Sequence, residues 1–534
     1  MTADNSASVA AGSAAPSSED RVPLTQKIGY GLGSIHDMWG HWLYSGLAYQ
    51  IFNIYLGVNP KWIGRALLFK LLFEAVSDSL FGWWSDNART RFGRRRPFIL
   101  AGALCAGVLL PVQFAAQPGW TELQYFGFMA TTLALFVPSM SSFYMPFQSL
   151  GYEMTASYHE RTTIQAVRSG IQKVPEVLNF AAAFFTTAGV WVAAKWADVP
   201  SRLSEMFHQL VHWFGHMGTA LLAFDLTRMG KLMTNLFGWA PAAADAKPNI
   251  LLAGQVYTVL LGGMMLIAGV LVFALTREPF YEKLIVMRKQ ARISIMATLG
   301  QTLSFQPFRA VLSMALAYGV GTSMVGALGY YATVYYACHG DVSAGGLWNL
   351  YMGLMGMVLG LCGVPTYTFL SRRIGKKAAM IVVQFSAIAV FVATWWLYSP
   401  VIPWLQIFAS GLIAFTGAGF WILYGSMTAD VIDADEIETG QRREGSFAAC
   451  GSWVLKFGMA IGNWASGEIL GAIGFDAKLG GNQTGHVIFM IRFLLAAIPI
   501  TGLIISLLLL SRFPLSFEKM NQIRTQLEAR RGKV

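Results

Sequence analysis

Glu74 and Asp78 stand four residues apart in an otherwise apolar stretch, so a helix there sets both carboxylates on one face. Lipid does not tolerate such a pair ionised. The two acids must look onto a polar interior and share a cation or a proton. Ser77, between them, and Ser141 can add hydroxyl oxygens, and carboxylates with hydroxyls suit a hard ion such as sodium. Two neighbouring acids can instead hold one proton between them. A third reading neutralises the pair with Lys70 or Lys456. Further charges fall within or beside apolar stretches: Asp37, Glu153, Arg168, Lys173, Glu176, Glu468 and Arg492. Intramembrane charge is costly, which makes each of these a functional candidate.

The elements that position these residues must be membrane helices. Of 534 residues, 55% are hydrophobic and only 13% charged, and the mean hydropathy is +0.49. A soluble domain is about 25% charged. This composition excludes a disordered chain and a cytosolic enzyme. It argues against a nucleic-acid partner despite a net charge of +11. No nucleophile elbow, HExxH or Walker-type loop places a reacting group near the acids, so no enzyme and no cofactor is expected. Cys105, Cys338, Cys362 and Cys450 lie far apart in apolar stretches and read as small buried residues.

A span needs about 20 mostly apolar residues. Twelve stretches qualify: 28–56, 62–87, 97–117, 121–152, 162–193, 249–276, 305–337, 345–371, 377–398, 401–429, 446–473 and 485–512. The basic loops after the second, eighth and tenth spans, the central loop and the C-terminal tail all fall on one side of an even-numbered bundle. That side is expected to be cytoplasmic. The resulting organisation is a tail 1–26, an N-terminal half 27–193 with spans one to five, and an extracytoplasmic insert 194–248. The sixth span 249–276, a central loop 277–304, a C-terminal half 305–512 and a tail 513–534 follow. The insert places His208, His212 and His216 on one helical face. A zinc site is one reading, and an interfacial membrane helix is the preferred one.

The chain also repeats itself. Phe92-Gly93-Arg94-Arg95-Arg96 after the second span matches Ile374-Gly375-Lys376-Lys377 after the eighth. Two pseudo-symmetric six-helix halves follow, an all-α arrangement in which the substrate site lies between the halves near the midplane.

Several motifs together carry a resemblance. They are Lys27-Ile28-Gly29-Tyr30-Gly31-Leu32-Gly33, then Glu74 to Asp86, then Arg91-Phe92-Gly93 to Pro97. Gly151-Tyr152-Glu153-Met154-Thr155 and Ala429-Asp430 through Gly445 complete the set. In order and spacing they resemble the glycoside–pentoside–hexuronide:cation symporters, the melibiose-permease branch of the major facilitator superfamily. The resemblance covers about 24–515 apart from the insert, and it implies the major facilitator fold and cation-coupled transport of a sugar or glycoside. Residue by residue, it implies that Glu74, Asp78, Ser77 and Ser141 bind the cation, sodium or a proton. Arg168, Lys456 and the aromatic Trp421 match its substrate region. The two aspartates that hold galactosyl hydroxyls in melibiose permease fall on Met38 and Tyr144, and a pocket tryptophan falls on Gln148. Asp37 is one residue away. Asp37, Tyr144 and Gln148 therefore complete the candidate substrate set, without galactoside specificity.

Charges near the helix ends on the basic side suggest a cytoplasmic gate: Asp86, Arg89, Arg94, Glu153, Arg161, Asp430, Asp433 and Arg442. The expected protein is a monomeric symporter of a bacterial inner membrane, with lipid around it and a small sugar-like substrate. Alternatives are the same fold carrying a larger amphipathic solute, such as a lysolipid or glycoconjugate, and a non-transporting sensor.

Overall fold

A backbone in lipid must satisfy its own hydrogen bonds, so long apolar stretches become helices. The computed structural model describes residues 21–278 and 300–526, apart from positions 89, 155–157, 224, 226–230, 232–245, 301, 440–443, 516, 517, 521 and 524. Each of the twelve stretches is a helix in it. Helix α1 runs from Leu24 to Tyr55 and includes two π-helical segments, Trp39–Leu43 and Tyr49–Tyr55. It is followed by α2 (Pro60–Asn87), α3 (Arg96–Val112), α4 (Glu122–Glu153) and α5 (Tyr158–Thr187). Helix α6 (Val199–Leu222) lies in the insert, and α7 (Ile250–Leu275) ends the first half. The second half holds α8 (Gln306–Ala337, ending in a π segment), α9 (Val342–Ile374) and α10 (Lys376–Leu397). It closes with α11 (Gln406–Thr439), α12 (Glu444–Ala472) and α13 (Gly485–Ser511). Among the described residues there is no β-strand, only the isolated bridge Val192–Pro248.

Among the described residues, seven helices, α4, α7 to α11 and α13, are long and apolar enough to cross a membrane on their own composition. Helix α3 is apolar but short. Helices α1, α2, α5 and α12 fall outside that set; they are the ones that carry Asp37, Glu74, Asp78, Arg168 and Lys456. Local signals start the helices. Pro60 opens α2 under an Asn59 cap, Thr121 and Gln124 form a capping box on α4, and Asp341 caps α9.

The internal repeat is visible in the backbone. Gly93 and Gly375 both turn the chain at positive φ, +103° and +83°, where a Cβ is disfavoured. The turns are then held differently. The Glu278 carboxylate accepts the backbone N–H groups of Arg94, Arg95 and Arg96, each at 2.9 Å, an anion at the start of α3. In the second half Lys376 Nζ pairs with Asp430 at 2.7 Å. The π segments of α1 and α8 are also matched, ending on Val58 N–H to Phe52 O and Gly340 N–H to Val334 O, both 2.8 Å.

The start of α1 and the end of α13 lie on one face of the bundle, here called the terminal face, and the start of α2 and end of α12 lie on the far face. The halves meet where α2 packs on α12 and α5 on α9. Near the far face the helices touch backbone to backbone. A Cβ on Gly467 would stand 2.6 Å from Pro60 O and 2.9 Å from Gly64 Cα. Ser343 Oγ donates to Thr187 O at 2.5 Å, Arg65 pairs with Glu468 at 3.0 Å, and the Tyr331 hydroxyl donates to Asn53 Oδ1. One apolar cluster, including Phe52, Trp191, Tyr331 and Phe475, joins the halves there. Toward the terminal face each half has its own cluster, around Phe143 and Phe147 in one and around Phe308 and Phe420 in the other.

Some expectations need amendment. The cysteines are unpaired, but Cys105 and Cys362 are exposed on α3 and α9 and only Cys450 is buried. Apolar helix faces that look outward to lipid leave a small residue exposed as readily as a large one. In the insert, α6 exposes His208, His212 and His216 beside Phe207, Val211 and Phe214. Trp213 packs against the buried cluster of Ala181, Phe184 and Leu350 at the α5–α9 seam. The exposed face of α6 thus mixes apolar and imidazole side chains. Among the described residues no three His, Cys, Asp or Glu side chains are grouped to hold a metal.

The glycine contact gives a direct test of the seam. Gly467→Trp should hold the far ends of α2 and α12 apart. A cysteine placed at Arg65 should then react faster with an impermeant maleimide added at the far face, and transport should fall at least tenfold. Unchanged labelling would mean that the contact does not seal that face.

Candidate cation and substrate site

The site is assembled by the four charged helices. In α1, Asp37 and His41 are separated by four residues and share a face, and His41 lies within the π segment Trp39–Leu43. A π turn carries an extra residue and recurs at functional sites. Trp39 anchors this turn by donating its indole N–H to Pro175 O of α5 at 2.9 Å. Lys70 of α2 anchors it from the other side, donating to Gly40 O at 3.3 Å and His41 O at 3.0 Å.

From this turn a chain of polar contacts crosses the protein. Arg168 of α5 pairs with Asp37 at 2.7 Å and donates to Gln148 Oε1 at 3.2 Å. Its guanidinium lies over the Phe147 ring, 5.1 Å from the centroid. His41 Nδ1 is 2.8 Å from Asp37 O. A carbonyl only accepts, so Nδ1 carries a proton in that contact. His41 Nε2 is 3.1 Å from Glu74 Oε1. The same oxygen accepts from Lys456 Nζ at 3.0 Å, and that ammonium also binds Asp78. Tyr144 closes one wall, with its ring 4.8 Å from that of His41 and 5.5 Å from Lys456 Nζ.

The energetics follow from burial. Glu74 and Asp78 are buried, and a lone carboxylate there would cost several kcal/mol, about 3–5 when a buried partner is removed. Lys456, which comes from the opposite half, supplies the countercharge. Ser77 Oγ and Ser141 Oγ are buried and make no hydrogen bond. Unsatisfied buried hydroxyls are costly, and they fit a site that receives a ligand. A metal cation or a proton could replace the ammonium between the two carboxylates.

The structure thus brings together Asp37, Glu74, Asp78, Tyr144, Gln148, Arg168 and Lys456. Asp37, not Met38, meets Arg168. Trp421 does not join them. It is 42% exposed, and its ring lies against Tyr318, Phe420 and Tyr424 in the second half. His41 is the residue that sequence reasoning passed over, although its spacing from Asp37 matches that of Glu74 and Asp78. Other intramembrane charges are neutralised elsewhere. Lys173 pairs with Glu176 at 2.7 Å, and Arg492 lies 4.1 Å from the ring centroids of both Tyr336 and Trp395. Of the expected gate, Arg89 and Arg442 and the side chains of Asp86, Glu153 and Arg161 lie outside the described residues. Arg94 donates its backbone N–H to Glu278, Asp430 pairs with Lys376, and Asp433 is half-buried on α11.

A two-half helical bundle with paired carboxylates at a midplane seam defines a secondary transporter rather than an enzyme. The chain belongs to the family described as MFS/sugar transport protein, which matches residues 30–516, the glycoside–pentoside–hexuronide symporters. It is similar to an uncharacterized symporter of Synechocystis sp., with 25% identity, over 96% of this chain and 98% of the relative. It is also similar to the isoprimeverose transporter of Lactiplantibacillus pentosus, with 22% identity over 96% and 92%. A glucuronide carrier protein homolog of Escherichia coli matches at 22% over 94% and 95%. Among solved structures, a D-xylose–proton symporter shares the fold with TM-score 0.54 and 11% identity, covering 90% of this chain and 97% of its own. A bacterial homolog of the lysosomal transporter Spinster does so with TM-score 0.56 and 13% identity over 92% and 95%. The protein is an integral multi-pass membrane symporter of this family.

The bridging ammonium makes a stability prediction. Lys456→Ala should destabilise the detergent-solubilised protein by about 3–5 kcal/mol, because two buried carboxylates lose their countercharge. Adding Asp78→Asn should recover much of that loss. A thermal-unfolding series on the wild type, both single variants and the double variant measures it. Additive losses in the double variant would show that the pair is not energetically joined.

Proposed function

We propose that the protein carries a sugar or glycoside together with one cation, sodium or a proton, bound between Glu74 and Asp78. Ser77 and Ser141 supply further oxygens to that cation. Asp37, Gln148, Arg168 and Tyr144 face the substrate beside it. The observation that carries this reading is the position of Lys456 Nζ, within bonding distance of both acids across the seam. An ammonium held there is displaced by an arriving cation, and the acids need one or the other. The polar residues on the substrate side suit hydroxyl edges, and the aromatic wall suits the C–H faces of a pyranose. The names of the similar proteins, an isoprimeverose transporter and a glucuronide carrier homolog, support the same substrate class.

The terminal face is the cytoplasmic one in this reading, because the basic loops gather there. The far face is then extracytoplasmic. A seam closed at that end corresponds to the state that faces the cytoplasm, one of the two that alternating access requires. The protein works in a cell membrane as a monomer, since each chain holds a complete site.

The test is uptake into proteoliposomes, with sodium and proton gradients imposed separately. Radiolabelled isoprimeverose, xylose, melibiose and a phenyl glucuronide form the panel. One gradient should drive accumulation of at least one sugar. Asp78→Asn should lose gradient-driven accumulation by more than tenfold yet still exchange that sugar down its gradient. Full accumulation by Asp78→Asn would remove the pair from the cation role. No movement of any sugar under either gradient would overturn the substrate class.

A further inference from the structure

In the network, two ion-paired ends do not touch each other. Arg168 and Asp37 form one, and Lys456 with Glu74 and Asp78 forms the other. Lys456, the obvious candidate to link them, reaches only the second. The contact that spans the gap is His41, with one ring nitrogen on Asp37 and the other on Glu74. The ring is wedged against Tyr144, and its backbone carbonyl is held by Lys70. A shift of the ring away from Glu74 carries it toward Asp37.

We infer that His41 is the positioning residue that transmits cation occupancy at Glu74 and Asp78 to the substrate-facing Arg168. This rests on the function proposed above. Glu74 Oε1 now accepts from both His41 and Lys456. A cation arriving between the acids displaces Lys456 and draws charge from that oxygen, which weakens its hold on His41. Nδ1 lies 2.8 Å from the Asp37 carbonyl and 3.4 Å from its carboxylate. When Nε2 is released, the ring settles on Asp37 and competes with Arg168 for it. Arg168 is then free to donate to a substrate hydroxyl. The π turn suits this role, because a wide turn lets one side chain shift without breaking the helix. Linkage makes the effect reciprocal, so bound substrate strengthens cation binding by the same factor.

The experiment uses the sugar of the panel that wild type accumulates most and the cation whose gradient drives it. Substrate affinity is measured by binding of that labelled sugar to purified protein, with and without the cation. Wild type should show a coupling factor within roughly 5- to 150-fold. His41→Ala should still bind the sugar and should still bind the cation, read by protection against thermal unfolding, but its coupling factor should fall to near one. His41→Gln, whose amide can reach Glu74 but lacks the second nitrogen, should also lose coupling while keeping wild-type thermal stability, and it decides the matter if the alanine variant does not fold. An undiminished coupling factor in His41→Gln would overturn the inference. Absence of any cation effect on wild type would instead overturn the symport reading on which it rests.

Discussion

A buried carboxylate in a membrane must have a countercharge, and in this protein that requirement falls on Glu74 and Asp78. Their partner, Lys456, comes from the other half of the chain. The ion pairs therefore also serve as a joint, because the two halves cannot separate at the midplane without leaving charge unpaired. The polar make-up of α1, α2, α5 and α12 follows from the same need. These helices sacrifice apolarity to surround the acids, and the other passes carry the burden of meeting the lipid.

The repeat explains why the joint lies where it does. Each half enters the membrane through a helix with a π ending and turns at its base through a positive-φ glycine. The first half adds a second π segment, Trp39–Leu43, in the middle of its opening helix, without a counterpart in α8. That one departure from symmetry carries His41 into the network. Function in this chain therefore resides in a local asymmetry on a nearly symmetric frame.

The spans were legible in the sequence because lipid imposes one simple rule, about 20 apolar residues per pass. Helix ends were less so, since α9 and α11 extend beyond their apolar windows through Arg372, Arg373 and Asp430 to Glu438. Glu74, Asp78, Arg168 and Lys456 were legible as charges out of place. Neutralisation by Lys70 or by Lys456 was also legible, but the choice of Lys456 was not, because Lys456 to Asp78 is a contact between halves and spacing along the chain says nothing about it. His41 was hidden for a different reason. Its four-residue offset from Asp37 is visible, but a lone histidine among aromatics reads as packing until its partners are known. Glu278 was missed because it lies just outside a span, where an acid costs little, and its role in closing the Gly93 turn is made by backbone groups.

The bare backbone contact along α2 and α12 has a consequence for how far the protein must be pushed to change state. Gly64 and Gly467 meet with no side chains interlocked. Parting them exposes little apolar surface, and their peptide groups already bond within their own helices, so no hydrogen bond is stranded. This glycine contact adds only a shallow well to the landscape, and the cost of opening the far face rests on the apolar cluster and the polar contacts beside it. Inward and outward shapes can then lie within a few kcal/mol of each other, close enough for the binding of one small ion to choose between them.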